Sequence, residues 1–195
     1  MLADDLNRYN IILATSSPRR QQLLKELGIK FRVEIREWSE NYPENLKGEE
    51  IAIHIAREKA SEFKPGIKEN EIVITADTIV WCNGRILDKP SGYHDAVRIL
   101  NEISGKTHEV ITAVCLLSSE KVKSFSSTTK VSFEKFSIEE IDFYIKNFHP
   151  FDKAGGYGIQ EWIGLAACSR IEGSYFNVMG LPVDQVYREL KLFIS

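Results

Sequence analysis

The stretch Ile11-Ile12-Leu13-Ala14-Thr15-Ser16-Ser17-Pro18-Arg19-Arg20-Gln21-Gln22-Leu23-Leu24 decides the fold of the N-terminal half. It reads as a short apolar strand, a small polar turn and a helix. Ser17 suits the N-cap and Pro18 the first helical position. Unpaired backbone N–H groups and the positive end of the helix dipole make such a start an anion site. Arg19 and Arg20 add charge to it. At 100° per residue, Leu23, Leu24 and Leu27 mark the buried face. Arg20 falls among them and Arg19 near the edge. Arg20 therefore points toward the protein body, either to an anion or to a structural carboxylate, unless it snorkels to solvent.

Working outward, strands alternate with helices through the first half, which predicts an α/β fold with parallel pairing. The helix ends at Gly28, and a second strand is expected from Phe31 to Ile35. A polar loop from Asn41 to Gly48 precedes a helix from Glu49 to Phe63 and an apolar strand from Ile72 to Val80. Asn83-Gly84 is a strong hairpin signal leading into residues 85–87. A helix over Tyr93–Glu102 and a hairpin of two long strands, His108–Leu117 and Lys121–Phe133, follow. Ser137 and Glu140 form a capping box for the next helix. Residues 150–181 read as glycine-punctuated loops and short strands, and Pro182 opens a closing helix.

The 195 residues fit one domain or a two-lobed one, and 43% hydrophobic content supports a sizeable core. A net charge of -3 disfavours bulk attraction to nucleic acid or acidic membranes. Cys82, Cys115 and Cys168 are far apart, against a zinc ribbon or disulfide framework, so a reducing cytoplasm is the expected setting. The polar first ten residues do not read as a signal peptide, and no apolar run approaches the roughly 20 residues that span a bilayer.

Two charged residues stand in apolar surroundings. Lys59 lies at the centre of the stripe formed by Ile51, Ala52, Ile55, Ala56, Ala60 and Phe63. Asp77 interrupts Ile72-Val73-Ile74-Thr75-Ala76-Asp77-Thr78-Ile79-Val80. Charges are rarely buried without a partner, so each asks for a counter-ion, metal or ligand. A structural ion pair or a strand-end cap would also satisfy them. In Asp88-Lys89-Pro90, Pro90 stiffens a turn that aims Lys89, which otherwise reads as a surface lysine. Asp152-Lys153-Ala154-Gly155-Gly156-Tyr157-Gly158-Ile159-Gln160 is a glycine-rich loop, either an ordinary tight turn or a close approach to a ligand, with Gln160 offering both a donor and an acceptor. It is not a Walker A loop. The four histidines show no metal spacing, and no nucleophile triad can be assembled. Cations (Arg19, Arg20, Lys59, Lys89) and carboxylates (Asp77, Glu40) suit phosphoryl chemistry with a divalent metal.

These motifs, with Arg57-Glu58-Lys59-Ala60, Ser104-Gly105-Lys106-Thr107-His108, Ile171-Glu172-Gly173-Ser174-Tyr175, Asn177 and Gly180-Leu181-Pro182, run in order from about residue 11 to 186. The chain resembles the Maf family of nucleoside triphosphate pyrophosphatases, also described as septum formation inhibitors. The resemblance implies an α/β fold with an extended mixed sheet and flanking helices, two lobes around a cleft, related to inosine triphosphate pyrophosphatases. It implies one domain over residues 1–195 without an independent linker. It also implies cleavage of the α–β phosphate bond, with a divalent cation such as Mg or Mn and a possible homodimer. Asp77 matches the family's proton acceptor, and with Glu40 it is the expected metal-binding pair; Ser39 stands where the family often has a further acidic residue. Ser16, Ser17, Arg20, Lys59 and Lys89 are expected on the phosphates. Arg19, Thr78 and Gln160 match the branch that prefers dTTP and UTP. A nucleotide-binding regulator of septum formation without turnover, or a house-cleaning enzyme for non-standard nucleotides, is the alternative.

Overall fold

A computed structural model describes residues 2–38 and 41–195. The chain begins with a short helix α1 (Leu2–Asp5), then β1 (Asn10–Leu13), α2 (Pro18–Glu26), β2 (Arg32–Val33), α3 (Glu49–Ser61) and β3 (Glu71–Cys82). β1 pairs in parallel with β2 and with β3, Leu13 lying opposite Val33 and Ile74. Parallel neighbours need crossovers, and α2 and α3 supply them. The expected α/β reading of the N-terminal half is thus what the chain forms. β2 is only two residues long, shorter than expected; both are exposed, so little apolar burial extends the strand.

β4 (Arg85–Leu87) pairs antiparallel with β3 through the Asn83-Gly84 turn, whose φ angles of 51° and 79° are those of a type I′ hairpin. α4 (Tyr93–Ile103), β5 (Thr107–Leu117), β6 (Val122–Phe133) and α5 (Ile138–Phe148) follow, with the Ser137–Glu140 capping box in place. Residues 150–181 depart from expectation. They carry two 3-10 turns, helix α6 (Trp162–Ala167), strand β7 (Cys168–Glu172) and helix α7 (Tyr175–Met179) rather than loops and short strands alone. One or two turns of helix show no full apolar period in sequence, and tertiary contacts fix them instead. α8 (Val183–Ile194) closes the chain after Pro182. The strand order is β2-β1-β3-β5-β6-β7, with β4 on β3, in a mixed seven-stranded sheet.

The chain divides into two compact units. The first is Met1–Asp77, Thr112–Ser127 and Gly180–Ser195; the second is Thr78–Ile111 and Thr128–Met179. In the first, Leu13, Leu24, Ala52, Ala56, Val73, Ile74 and Leu190 are fully buried. Thr75, equally buried, donates its hydroxyl to the Ala56 carbonyl at 2.6 Å and so fixes α3 against β3. In the second, Ile99, Leu100 and Ile103 of α4 and Tyr144 and Ile145 of α5 join Val110, Val131 and Phe133 in one core. No helix among the described residues is long and apolar enough to cross a membrane.

His108, 2% exposed, is a polar residue inside that second core. Its Nε2 lies 2.7 Å from the Tyr157 hydroxyl, and Phe133 and Tyr157 pack on the ring. Nδ1 is buried and has no hydrogen-bond partner among the described residues. A protonated ring would carry a second N–H with nothing to accept it. Burial accordingly lowers the pKa of His108 from 6.5 to about 4. Between those values the unfolded chain binds the proton and the folded one does not, so stability falls as pH falls. Urea unfolding should show about 2 kcal/mol less stability at pH 5 than at pH 7 from this group. His108→Gln should flatten that slope, and an unchanged slope in the variant would assign the loss elsewhere.

Candidate active site

The first unit gathers the N-terminal candidates around Asp77. Alternation along β3 puts Thr75 and Asp77 on one face, toward α3. Ala56 and Lys59 are three apart on α3 and therefore neighbours on its surface. Just as Thr75 meets Ala56, Asp77 meets Lys59: Nζ donates to Oδ1 at 2.6 Å. Both side chains are largely shielded, Lys59 at 15% exposure and Asp77 at 17%. The Trp38 ring covers the ammonium from another side, its centroid 4.2 Å from Nζ. The lysine in the apolar stripe and the aspartate in the apolar strand are thus each other's counter-ion.

Arg20 lies on the inward face of α2, as its position among Leu23, Leu24 and Leu27 predicts. Its Nε donates to the Gly180 carbonyl at 2.8 Å and its Nη1 to the Ala76 carbonyl at 2.9 Å. The guanidinium is therefore anchored to the backbone immediately before Asp77. Burial lowers its pKa from the ordinary value; the Asp77 charge acts against that shift, and the Arg19 charge adds to it. Ser17 is the N-cap, its hydroxyl accepting from the Arg20 N–H at 3.5 Å. The Ser17 N–H in turn donates to the Thr15 hydroxyl at 3.1 Å. Ser16 is exposed, and Ser17 and Arg19 are half-buried at the same helix start.

The second unit holds Thr78, Lys89 and Gln160. Lys89 is exposed, while the neighbouring Pro90 is buried. The turn that carries Lys89 is joined to the glycine-rich loop. The Gly155 N–H donates to the Asp88 carbonyl at 3.3 Å, and a Cβ at Gly156 would come within 3.1 Å of the Pro90 ring. Gly155 has φ of +69° and stands against Val80, where a Cβ would lie 2.7 Å from a methyl. The loop is thus closely packed, and glycine is required for both conformation and space. Gln160 at its end is half-buried, with Oε1 enclosed and accepting no hydrogen bond from the described residues.

Four participants, Lys153, Glu161, Tyr144 and Trp38, were not singled out by sequence reasoning. Lys153, 8% exposed, forms ion pairs with Asp152 at 2.7 Å and Glu161 at 3.1 Å. Glu161 also accepts a hydrogen bond from the Tyr144 hydroxyl. A signal existed for Tyr144: it sits with Ile141, Ile145 and Phe148 on the apolar face of α5, where a hydroxyl needs a partner. For Trp38 no sequence signal exists, since it lies in a loop. Among the described residues, no group of three or more His, Cys, Asp or Glu side chains is assembled for a metal. Glu40, the other expected metal ligand, lies outside the described residues together with Ser39.

A shielded carboxylate paired with a lysine in the first unit, and a tight glycine loop ending in a carboxamide in the second, each suit many ligands, and comparison with known proteins narrows the choice. The chain is 51% identical over 191 residues to a protein of Phocaeicola vulgatus named dTTP/UTP pyrophosphatase, covering 97% of this chain and 99% of that one. A Flavobacterium johnsoniae protein of the same name is 46% identical over 194 residues, the full length of both. Among solved structures, the Staphylococcus aureus Ham1 protein aligns with 64% of this chain and 71% of its own at 14% identity and a TM-score of 0.44. The family model described as Maf-like protein matches residues 10–193. With the match running from β1 to the end of α8, this chain belongs to the Maf-like family.

Proposed function

We propose that the protein hydrolyses the α–β phosphoanhydride of dTTP and UTP, releasing the monophosphate and pyrophosphate, as one domain acting in the cytoplasm. The observation that carries this reading is the near-full-length match to relatives named dTTP/UTP pyrophosphatase. The Lys59–Asp77 pair supports it, because a charge pair inside apolar elements contributes little net stability and has a chemical use here. Lys59 holds Oδ1 of Asp77, and Oδ2 takes the proton from the attacking water. The water oxygen bonds to the α-phosphorus, the bridge to the β-phosphate breaks, and its electron pair leaves with pyrophosphate. Arg20, Lys59 and Lys89 meet the charge that develops. Ser16, Ser17 and the N–H groups opening α2 hold phosphate oxygens. Arg19, Thr78 and Gln160 choose the base.

A divalent cation such as Mg or Mn is part of this reading. Magnesium is commonly held by one or two carboxylates plus substrate phosphates. Asp77, a shielded carboxylate with one oxygen engaged by Lys59, fits that donor set. Such an ion would supply charge neutralisation on the triphosphate. We further propose that the protein works as a homodimer, with no nucleic-acid partner.

Pyrophosphate release from a panel of nucleotides, with and without Mg²⁺, tests the whole reading. Release from dTTP and UTP is expected; release from ITP or XTP alone, or none at all, overturns it. Asp77→Asn should lower turnover by roughly 100-fold or more while leaving the circular dichroism spectrum intact. Near-normal turnover would remove Asp77 from the reaction. Lys59→Met, which takes away a charge-assisted bond, should cost roughly 10- to 100-fold in kcat/KM for dTTP. Equal kcat/KM in this variant and in the native protein would leave Lys59 a structural counter-ion only.

A further inference from the structure

The segment that follows β2 meets the end of α3 through two contacts of one kind, each a cation on an aromatic face. The Arg36 guanidinium lies 4.3 Å from the centroid of the Phe63 ring. The Lys59 ammonium lies 4.2 Å from the centroid of the Trp38 ring. The segment supplies the cation in the first contact and the ring in the second. Arg36 also donates Nη1 to the carbonyl of Glu62, the C-cap of α3, at 2.6 Å, and Nη2 to Glu34 Oε1 at 3.0 Å. A guanidinium suits the negative end of a helix. Phe63 is buried, so its ring is a fixed platform. The chain two residues before Trp38 is thus fastened to the turn that closes α3, and the indole comes to rest on Lys59.

What the indole contributes follows from the chemistry of lysine. An ammonium is a strongly hydrated point charge on a flexible four-carbon stem. The hydrogen bond to Asp77 Oδ1 at 2.6 Å holds it from one side. The ring face attracts it from another and excludes water there. A drier pair feels its mutual attraction more strongly. A carboxylate in place of the ring would hold the ammonium equally well, but Lys59 with two carboxylates would be a net negative group and would repel phosphate. The indole holds the lysine without neutralising it.

We infer that Trp38 is a positioning residue that pins the Lys59 ammonium against Asp77 and keeps water off the pair, and thereby speeds pyrophosphate release. It rests on the reading of Lys59 and Asp77 as parts of the reaction. Trp38 need not touch the nucleotide; it acts through Lys59.

The test is steady-state pyrophosphate release from dTTP by the full-length protein, as a double-mutant cycle. Trp38→Leu, which removes the aromatic face, should lower kcat/KM by roughly 5- to 30-fold. Trp38→Met, also without a ring, serves if Trp38→Leu does not fold. Trp38→Phe, which keeps a ring face, should stay within about threefold of the native chain. In a Lys59→Met background the loss from Trp38→Leu should shrink to less than about twofold, since the group it acts through is gone. A role in packing alone would give the same fold-loss in both backgrounds, and that result overturns the inference, as does Trp38→Phe falling as far as Trp38→Leu. Native kcat/KM in Trp38→Leu beside a slowed Lys59→Met overturns the inference and leaves the role of Lys59 standing. Native kcat/KM in Lys59→Met, or no release from dTTP by the native chain, overturns the reading of the pair and the inference with it.

Discussion

A carboxylate set into an apolar β-strand has to be compensated, and in the first unit most of the candidate chemistry follows from that requirement. Asp77 ends the run Ile72–Ala76, and its face of β3 looks onto α3. The compensating charge must therefore come from α3 at one position, three residues beyond the alanine that Thr75 bonds. Lys59 occupies it. Arg20 donates to the carbonyl of Ala76, the residue before Asp77, so a second cation is fixed near the same carboxylate and feels its charge. Two buried charges and a guanidinium give up stability that hydrophobic residues of similar volume would provide. That trade makes sense where charge is used to bind an anion and move a proton.

In the second unit the constraint is different. The glycine-rich loop packs against Val80 and Pro90 too closely for side chains at Gly155 and Gly156. Its end is fastened by a chain of polar contacts in which a buried phenol, a carboxylate and a shielded ammonium satisfy one another. Such a network rigidifies when complete, since every broken link leaves a desolvated polar group. The charge at Glu161 is also tolerable only because Lys153 and Tyr144 surround it. Rigidity at the loop is thus a consequence of satisfying buried polar atoms.

The parts of this arrangement that sequence alone makes legible are the ones with a local period. Arg20 among leucines, Lys59 in an apolar stripe, Asp77 in an apolar strand, the Asn83-Gly84 turn and the Ser137 cap each break or complete a pattern visible within a dozen residues. Partners were not legible in the same way. Arg20 is anchored by carbonyls of Ala76 and Gly180, and a carbonyl has no residue signature. The helices α6 and α7 are too short to show a period, and their place is set by contacts such as Asn177 donating to the Val110 carbonyl at 3.0 Å and to Thr129 Oγ1 at 2.8 Å. Tyr144 belonged to the legible class: a hydroxyl at the core position of an amphipathic helix poses the same question as Lys59.

The two kinds of group also differ in what they can select. Lysine and arginine on a triphosphate recognise charge common to every nucleotide, so they raise affinity without distinguishing bases. An enclosed carbonyl oxygen with no partner works otherwise. Leaving it unsatisfied costs roughly 1–3 kcal/mol, a penalty relieved only by a ligand that brings a donor to that point. A base with an acceptor there leaves the penalty in place and adds repulsion. Sites built to hydrogen-bond a particular group reject analogues that lack it far better than sites shaped only by volume. Gln160 Oε1 is such an oxygen, enclosed and without a hydrogen-bond partner among the described residues.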